Sequence, residues 1–325
     1  MRKLSFLMVL LFLFSCDEEK LEPEMTISEL NYPVGMGTSG DPETSVVGYG
    51  FDATGLCDTT SVKAKIANFP ENGLSYGRSL SSGSNIKSHT SLFELQNKFE
   101  LHTNITERGM VADISHIGAL LELADNINEN LSVVHYEAYY KYRYVRGYMS
   151  DANFTNSFKE DIVNLTPEQL VSKYGTHILI RSYLGTKFEI VYTCETNENT
   201  REYDLKQQFL KRLGQILGGT PYNIAAKYKI ESSYWNEKMV YNTLGSKTKQ
   251  FGVVEITDNN PNNIKIDYNS VFGDNMDYQF IDMAADGIIS LDQLISDPEK
   301  KQEVKSYLEE YIISNSVLIT HQETN

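Results

Sequence analysis

Cysteine is scarce in this chain, with three in 325 residues, at positions 16, 57 and 194. No Cys-x-x-Cys pair occurs, and neither does a His-Glu-x-x-His, a Gly-x-Ser-x-Gly or a Walker phosphate loop. The sequence signatures of zinc proteases, α/β-hydrolases and P-loop nucleotidases are therefore missing. The six histidines, 89, 102, 116, 135, 177 and 321, are scattered singly. Cys194 lies too far from His177 along one expected strand to form a dyad with it. The reading is a protein that is not an enzyme and uses no cofactor. Basic charge is also in short supply, with 29 Lys+Arg against 44 Asp+Glu and a net charge of −15. A chain this acidic is not built for nucleic acid, and its own field does not draw it to an anionic membrane. Gly35, Gly37 and Gly40 have the spacing of a dinucleotide loop. That loop must join a strand to a helix, whereas here Asp41-Pro42 follows, which signals a turn. The acidic "DNMDYQFIDMAADG" lacks the spacing of an EF-hand.

Long apolar runs are missing except at the N-terminus. Arg2 and Lys3 precede the run Leu4–Phe14, which falls short of the ~20 residues a membrane-spanning helix needs. Residues 1–15 read as a signal peptide. The end of that run, "LFSC", resembles the lipobox of bacterial lipoproteins, which implies lipidation of Cys16. Residues 16–32 are then a lipidated acidic tether that cannot pack. Its "DEEKLEPEM" resembles the surface-export signal of Bacteroidetes lipoproteins. The expected location is the cell envelope, as an outer-membrane lipoprotein exposed at the surface or released. Cys57 and Cys194 remain, and an oxidising compartment permits one disulfide between them.

What is present is alternation, and much tyrosine (21 residues). Val134–Met149 reads as a strand with Tyr136, Tyr140, Tyr142, Tyr144 and Tyr148 on one face and Lys141 and Arg143 on the other. Thr166, Pro167 and Gln169 form a capping box with proline at the first helical position. Leu170, Val171 and Tyr174 supply that helix's apolar face, and Gly175 is its natural stop. From His177 to Glu195 the chain alternates again, as one long strand. Leu205, Phe209, Leu213 and Ile216 have helical spacing, Tyr222–Tyr234 alternates, and 250–257 is a further strand. Residues 114–127 read as a helix, whereas Leu92–Thr106 fits either period. At the end, Ser290 with Gln293 forms a capping box for one helix. Asp297-Pro298 opens a second, with Val304, Leu308 and Tyr311 on its face.

Tyr174-Gly175-Thr176-His177 resembles the signature of the membrane-attack-complex/perforin (MACPF) family. Pro167 stands where that motif has its first tyrosine, and Ile178 replaces its last aromatic. "VVGYGFDAT" is similar to the family's first strand. "YLGTKFEI", with Gly185 and Thr186, is similar to the strand after the signature, and "ISLDQLISDPEKKQEVKSYLEEYI" to its closing helices. The resemblance implies an α+β fold spanning 33–325. A bent, twisted antiparallel sheet would be flanked by two helical clusters, at about 86–131 and 196–243. It implies a homo-oligomer on a target membrane, recognising a lipid or glycan receptor and inserting amphipathic β-hairpins, as in an antibacterial toxin against competitors. The alternative is a non-lytic adhesin or glycan-binding surface lipoprotein on the same fold. Gly175, Gly185 and Gly245 are the hinge candidates, because bending a sheet needs residues without a Cβ penalty. Thr176 and His177 are expected to hydrogen-bond neighbouring backbone at the helix–strand joint.

Overall fold

The alternating segments resolve into two antiparallel sheets. The computed structural model describes residues 46–70, 73–91, 94, 110–123, 131–196, 200–217, 234–247, 250–256, 268–272, 276, 279–284 and 286–316. Cys16, the tether, nearly all of Leu92–Thr106 and the segment 222–233 lie outside these. In chain order the elements are β1 (Tyr49–Phe51), β2 (Val62–Lys65), β3 (Leu74–His89), α1 (Met110–Leu123), β4 (Ser132–Gly147), α2 (Asn156–Asn164), α3 (Pro167–Tyr174), β5 (His177–Leu179), β6 (Arg181–Thr196), α4 (Glu202–Ile216), β7 (Tyr234–Leu244), β8 (Phe251–Ile256), β9 (Gln279–Met283), β10 (Ile288–Ser290) and α5 (Pro298–Asn315).

The larger sheet has the order β3-β4-β6-β7-β8, and β9 pairs with the start of β6. The smaller sheet has the order β10-β5-β1-β2. Strand β6 is central and buried on both faces from Leu184 to Cys194, with Lys187 and Glu189 among the buried residues. One face of the large sheet, carrying Tyr136, Tyr140, Phe188, Ile190 and Tyr192, packs under α4. The other face, carrying Val133, Val191 and Val240, packs against α1, the small sheet and α5. Each large apolar side chain fully buried here contributes about 1.5–3 kcal/mol.

Local chemistry sets the helix ends. Thr166 and Gln169 complete a capping box for α3, with Pro167 inside the first turn. Asp297 accepts from the Lys300 amide to start α5, again with proline in the first turn. Val304, Leu308 and Ile312 form the buried stripe of α5. Ile312 takes the place expected of Tyr311, whose hydroxyl instead donates to Asp52 at 2.9 Å.

The sequence-based expectations need correction in several places. The stretch His177–Glu195 is two strands. β5 belongs to the small sheet and β6 to the large one, and the change falls at Ile180, whose amide donates to Gly287. The first helical cluster is shorter than expected because residues up to His89 belong to β3. The second is shorter because β7 begins at Tyr234. A bulge between Lys141 and Arg143 interrupts the tyrosine strand, and Tyr148, expected on one face with Tyr136 and Tyr140, is 57% exposed while those two are buried. Ser290 caps no helix with its side chain; its hydroxyl bonds Asp292.

Candidate functional site

The four long strands place both helical insertions at one end of the large sheet. β3 stops at His89, opposite Val133 near the start of β4. Ser132 faces Cys194 near the end of β6, and Thr196 faces Tyr234 at the start of β7. Residues 90–131 therefore connect β3 to β4, and residues 197–233 connect β6 to β7, each across a pair of adjacent antiparallel strands. Helix α1 belongs to the first insertion and α4 to the second, and they cover opposite faces of the sheet.

Helix α1 is held by both apolar and polar contacts. Ala112, Ile117, Leu120 and Leu121 enter the core, and Ser115 bonds Ser316. His116 reaches through to the sheet. Its Nδ1 meets the Leu56 carbonyl, and its Nε2 lies 2.7 Å from Glu189 Oε2 on β6. Beside it are His135 and Glu137 on β4 and Lys187 on β6. Lys187 Nζ is 3.1 Å from Glu189 Oε2 and 3.5 Å from Glu137 Oε1. His116, His135, Glu137 and Lys187 line one side of a cavity of about 740 Å³, together with Tyr139 and Asp282.

Electrostatics in the cluster are strongly coupled. Burial alone would lower the pKa of His116, but the adjacent Glu189 carboxylate overrides it and raises it. Burial would raise that of Glu189, yet His116 and Lys187 hold its carboxyl well below the usual range. Lys187 is likewise disfavoured by burial and held charged by Glu189 and Glu137. The group is thus a buried, mutually neutralising set of charges, which is favourable only while its members stay together.

Helix α4 carries a second buried ion pair. Leu205, Phe209, Leu213 and Ile216 face the sheet, with the Phe209 ring 5.7 Å from those of Tyr136 and Tyr192. Among them, the Arg212 guanidinium bonds both oxygens of Glu237 on β7. Glu237 Oε2 also accepts from the Tyr192 hydroxyl at 2.6 Å and from Gln208 at 3.0 Å.

The four signature residues sit at the joint between α3 and β5. Gly175 ends the helix at φ 77°, a region that favours glycine. A Cβ there would meet the Phe51 carbonyl carbon at 2.5 Å. The Thr176 hydroxyl accepts from the Ala53 amide at 3.0 Å and donates to the Phe51 carbonyl at 3.2 Å. The Thr176 carbonyl accepts from the Leu291 amide. His177 Nδ1 lies 2.8 Å from the Thr176 hydroxyl, in the core. The joint therefore ties α3 to β1 and to the residue that follows β10. The glycines at 185 and 245 touch each other: a Cβ on Gly245 would lie 1.9 Å from the Gly185 carbonyl oxygen. Thr186 donates to the Gly245 carbonyl at 2.7 Å. Close backbone approach is thus one reason for glycine at both positions.

The disulfide that the sequence permits between Cys57 and Cys194 is not formed, and both are free. Cys194 lies in the core under α4, and burial pushes its thiol up to about 12. Cys57 packs on the other side of the sheet, with its sulfur 3.3 Å from the Ala112 carbonyl on α1. The structure also joins residues that sequence reasoning left apart. His116 and His135 appear singly in the chain but meet at Glu189, and neither Arg212 nor Glu237 stood out. Alternation gives a usable signal in one place. His135, Glu137, Lys187 and Glu189 all fall on the face opposite the buried tyrosines, where runs of charge inside long strands imply a shared polar interior.

No family model and no curated protein matches the chain. Among solved structures, it resembles a MAC/perforin-domain protein from Bacteroides thetaiotaomicron at 11% identity and a TM-score of 0.60, over 86% of this chain and 63% of that one. It also resembles GNIP1Aa from Chromobacterium piscinae at 11% identity and a TM-score of 0.60, over 83% of this chain and 56% of that one. The chain thus spans less than two thirds of either structure. At this level the likeness is one of fold: the architecture is α+β and of the MACPF/perforin type.

Proposed function

We propose that the chain is a pore-forming protein in which the insertions 90–131 and 197–233 convert from helices into two membrane-crossing β-hairpins. The observation that carries this reading is the placement of the four strand ends. Each insertion joins adjacent antiparallel strands at the same end of the sheet, so each extends an existing hairpin without a change of register. A barrel strand needs about 9–11 residues to cross the hydrocarbon, and each insertion is long enough to supply two. Only a closed barrel satisfies every backbone group of such strands, so several copies must assemble. Cys16 would anchor the chain to an outer membrane through lipid before release or contact with a target, and a competing bacterium fits a toxin of this kind.

The test is dye release from liposomes, and leakage from candidate target cells, with electron microscopy of the treated membranes. Release accompanied by rings or arcs is the expected result. Intact membranes under all conditions, with glycan binding retained, would replace this reading by the adhesin.

A further inference from the structure

We propose that His116, His135 and Glu189 form a binding site for one divalent transition-metal ion of the zinc class, linking α1 to β4 and β6. One potential ligand atom from each residue lies within 4.8 Å of the others, and all three residues are buried. Two imidazoles and one carboxylate suit zinc, which keeps a fourth position for water in sites of this composition. With bonds of about 2.0–2.1 Å, neighbouring tetrahedral ligand atoms sit roughly 3.3 Å apart. The observed separations from Glu189 Oε2, 2.7 Å to His116 Nε2 and 3.9 Å to His135 Nε2, lie on either side of that value. The remaining pair, the two imidazoles, lies within 4.8 Å, so binding would draw them together by up to about 1.5 Å.

Two further observations point to a ligand. His135 Nε2 is buried with no hydrogen-bond partner; carboxylate oxygens of Glu137 and Glu189 stand 3.9 Å off, too far for a full hydrogen bond. On His116, Nδ1 faces the Leu56 carbonyl. A carbonyl only accepts, so Nδ1 carries a proton and Nε2 is the atom presented towards Glu189. A backbone carbonyl orienting an imidazole in this way is the usual outer-sphere support of a metal-bound histidine. The cavity lined by His116, His135 and Lys187 supplies an entry path.

Lys187 is the built-in competitor. Its ammonium, 3.1 Å from Glu189 Oε2, neutralises the carboxylate when no ion is bound. Glu137 Oε1, 3.5 Å away, gives it a partner to keep when an ion takes Glu189.

The experiment is calorimetric titration of Zn²⁺ alone into the full chain, with Co²⁺ absorption as a readout of geometry. One ion per chain and tetrahedral Co²⁺ bands are expected. His116→Ala and His135→Ala should each weaken binding at least about 100-fold, whereas His102→Ala and His321→Ala should leave it unchanged. Lys187→Met should tighten binding by about tenfold or more, since it removes a competing cation; this outcome does not depend on how well the histidine variants fold. The proposal is overturned by absence of stoichiometric binding, by binding indifferent to both His116 and His135, or by weaker binding in Lys187→Met.

Discussion

Ser115 on α1 and Ser316 just beyond α5 share a buried 2.9 Å hydrogen bond, although 201 positions separate them. The contact pins the first insertion to the end of the last helix. Two thiols placed at these positions would face each other across the same contact. The double variant Ser115→Cys/Ser316→Cys should crosslink on oxidation and gain about 3–5 kcal/mol from closing so long a loop. Oxidised protein should release no dye from liposomes, and reduction should restore release. Equal leakage in both states would show that α1 stays in place.

Gly175 should tolerate no side chain. Its φ of 77° is one obstacle, and the Phe51 backbone, 2.5 Å from where a Cβ would sit, is an independent second. Gly175→Val should lose about 3 kcal/mol or more, read as a lowered denaturant midpoint or as failure to accumulate folded protein. A variant of wild-type stability would remove the architectural role assigned to the signature.

Glu237 gathers three donors under α4, from Arg212, Gln208 and Tyr192. Glu237→Ala would leave a buried guanidinium uncompensated and should cost about 3–5 kcal/mol. Arg212→Met/Glu237→Met should recover part of that loss, as measured in a double-mutant cycle. Because the pair ties the second insertion to β7, Glu237→Ala should also release dye faster than wild type while still folded.

Acid should weaken the signature joint through Asp161. Its carboxylate accepts from Lys173 and from the Tyr174 hydroxyl, both at 2.5 Å. These bonds, that from Lys173 foremost, lower its pKa below the usual value of 3.8. A depressed carboxylate stabilises the fold above its unfolded pKa and loses that contribution as pH falls through the folded one. The stability gap between wild type and Asp161→Asn should hold steady above about pH 5 and shrink below about pH 4. The gap should be small, since the partner Lys173 is largely exposed. A gap that widened on acidification would contradict the assignment.

The fold was legible where one chemical pattern has one structural meaning. The capping box at Thr166 and Gln169, the proline inside it and the glycine at 175 mark α3 from both ends. The spacing of Leu205, Phe209, Leu213 and Ile216 identifies α4. The change of sheet at Ile180 was not legible. Alternation reports which way side chains point, and it continues through Ile178, Ile180 and Leu184 while the hydrogen-bonded neighbours change. The cluster at Glu189 was hidden for a different reason. It needs the register of β4 against β6, which sets His135 against Val191 and Glu137 against Glu189, and then the placement of α1 above both. None of these distances along the chain carries a local signal. The parity of β6 does place Cys194 beside Ile190 and Tyr192, and that is the face Cys57 does not reach.

The common edge at which β3, β4, β6 and β7 meet their insertions has a kinetic consequence. Starting a hairpin in free chain is slow because its ends must first find each other, at an entropic cost that grows with loop length. Here the folded sheet already holds both ends of each insertion together. Strand growth from this edge can therefore proceed as a zipper, one residue pair after another, with no separate nucleation step. In the conversion proposed above, the barrier would lie in detaching α1 and α4 from the sheet, and the rate would follow the buried charges beneath them.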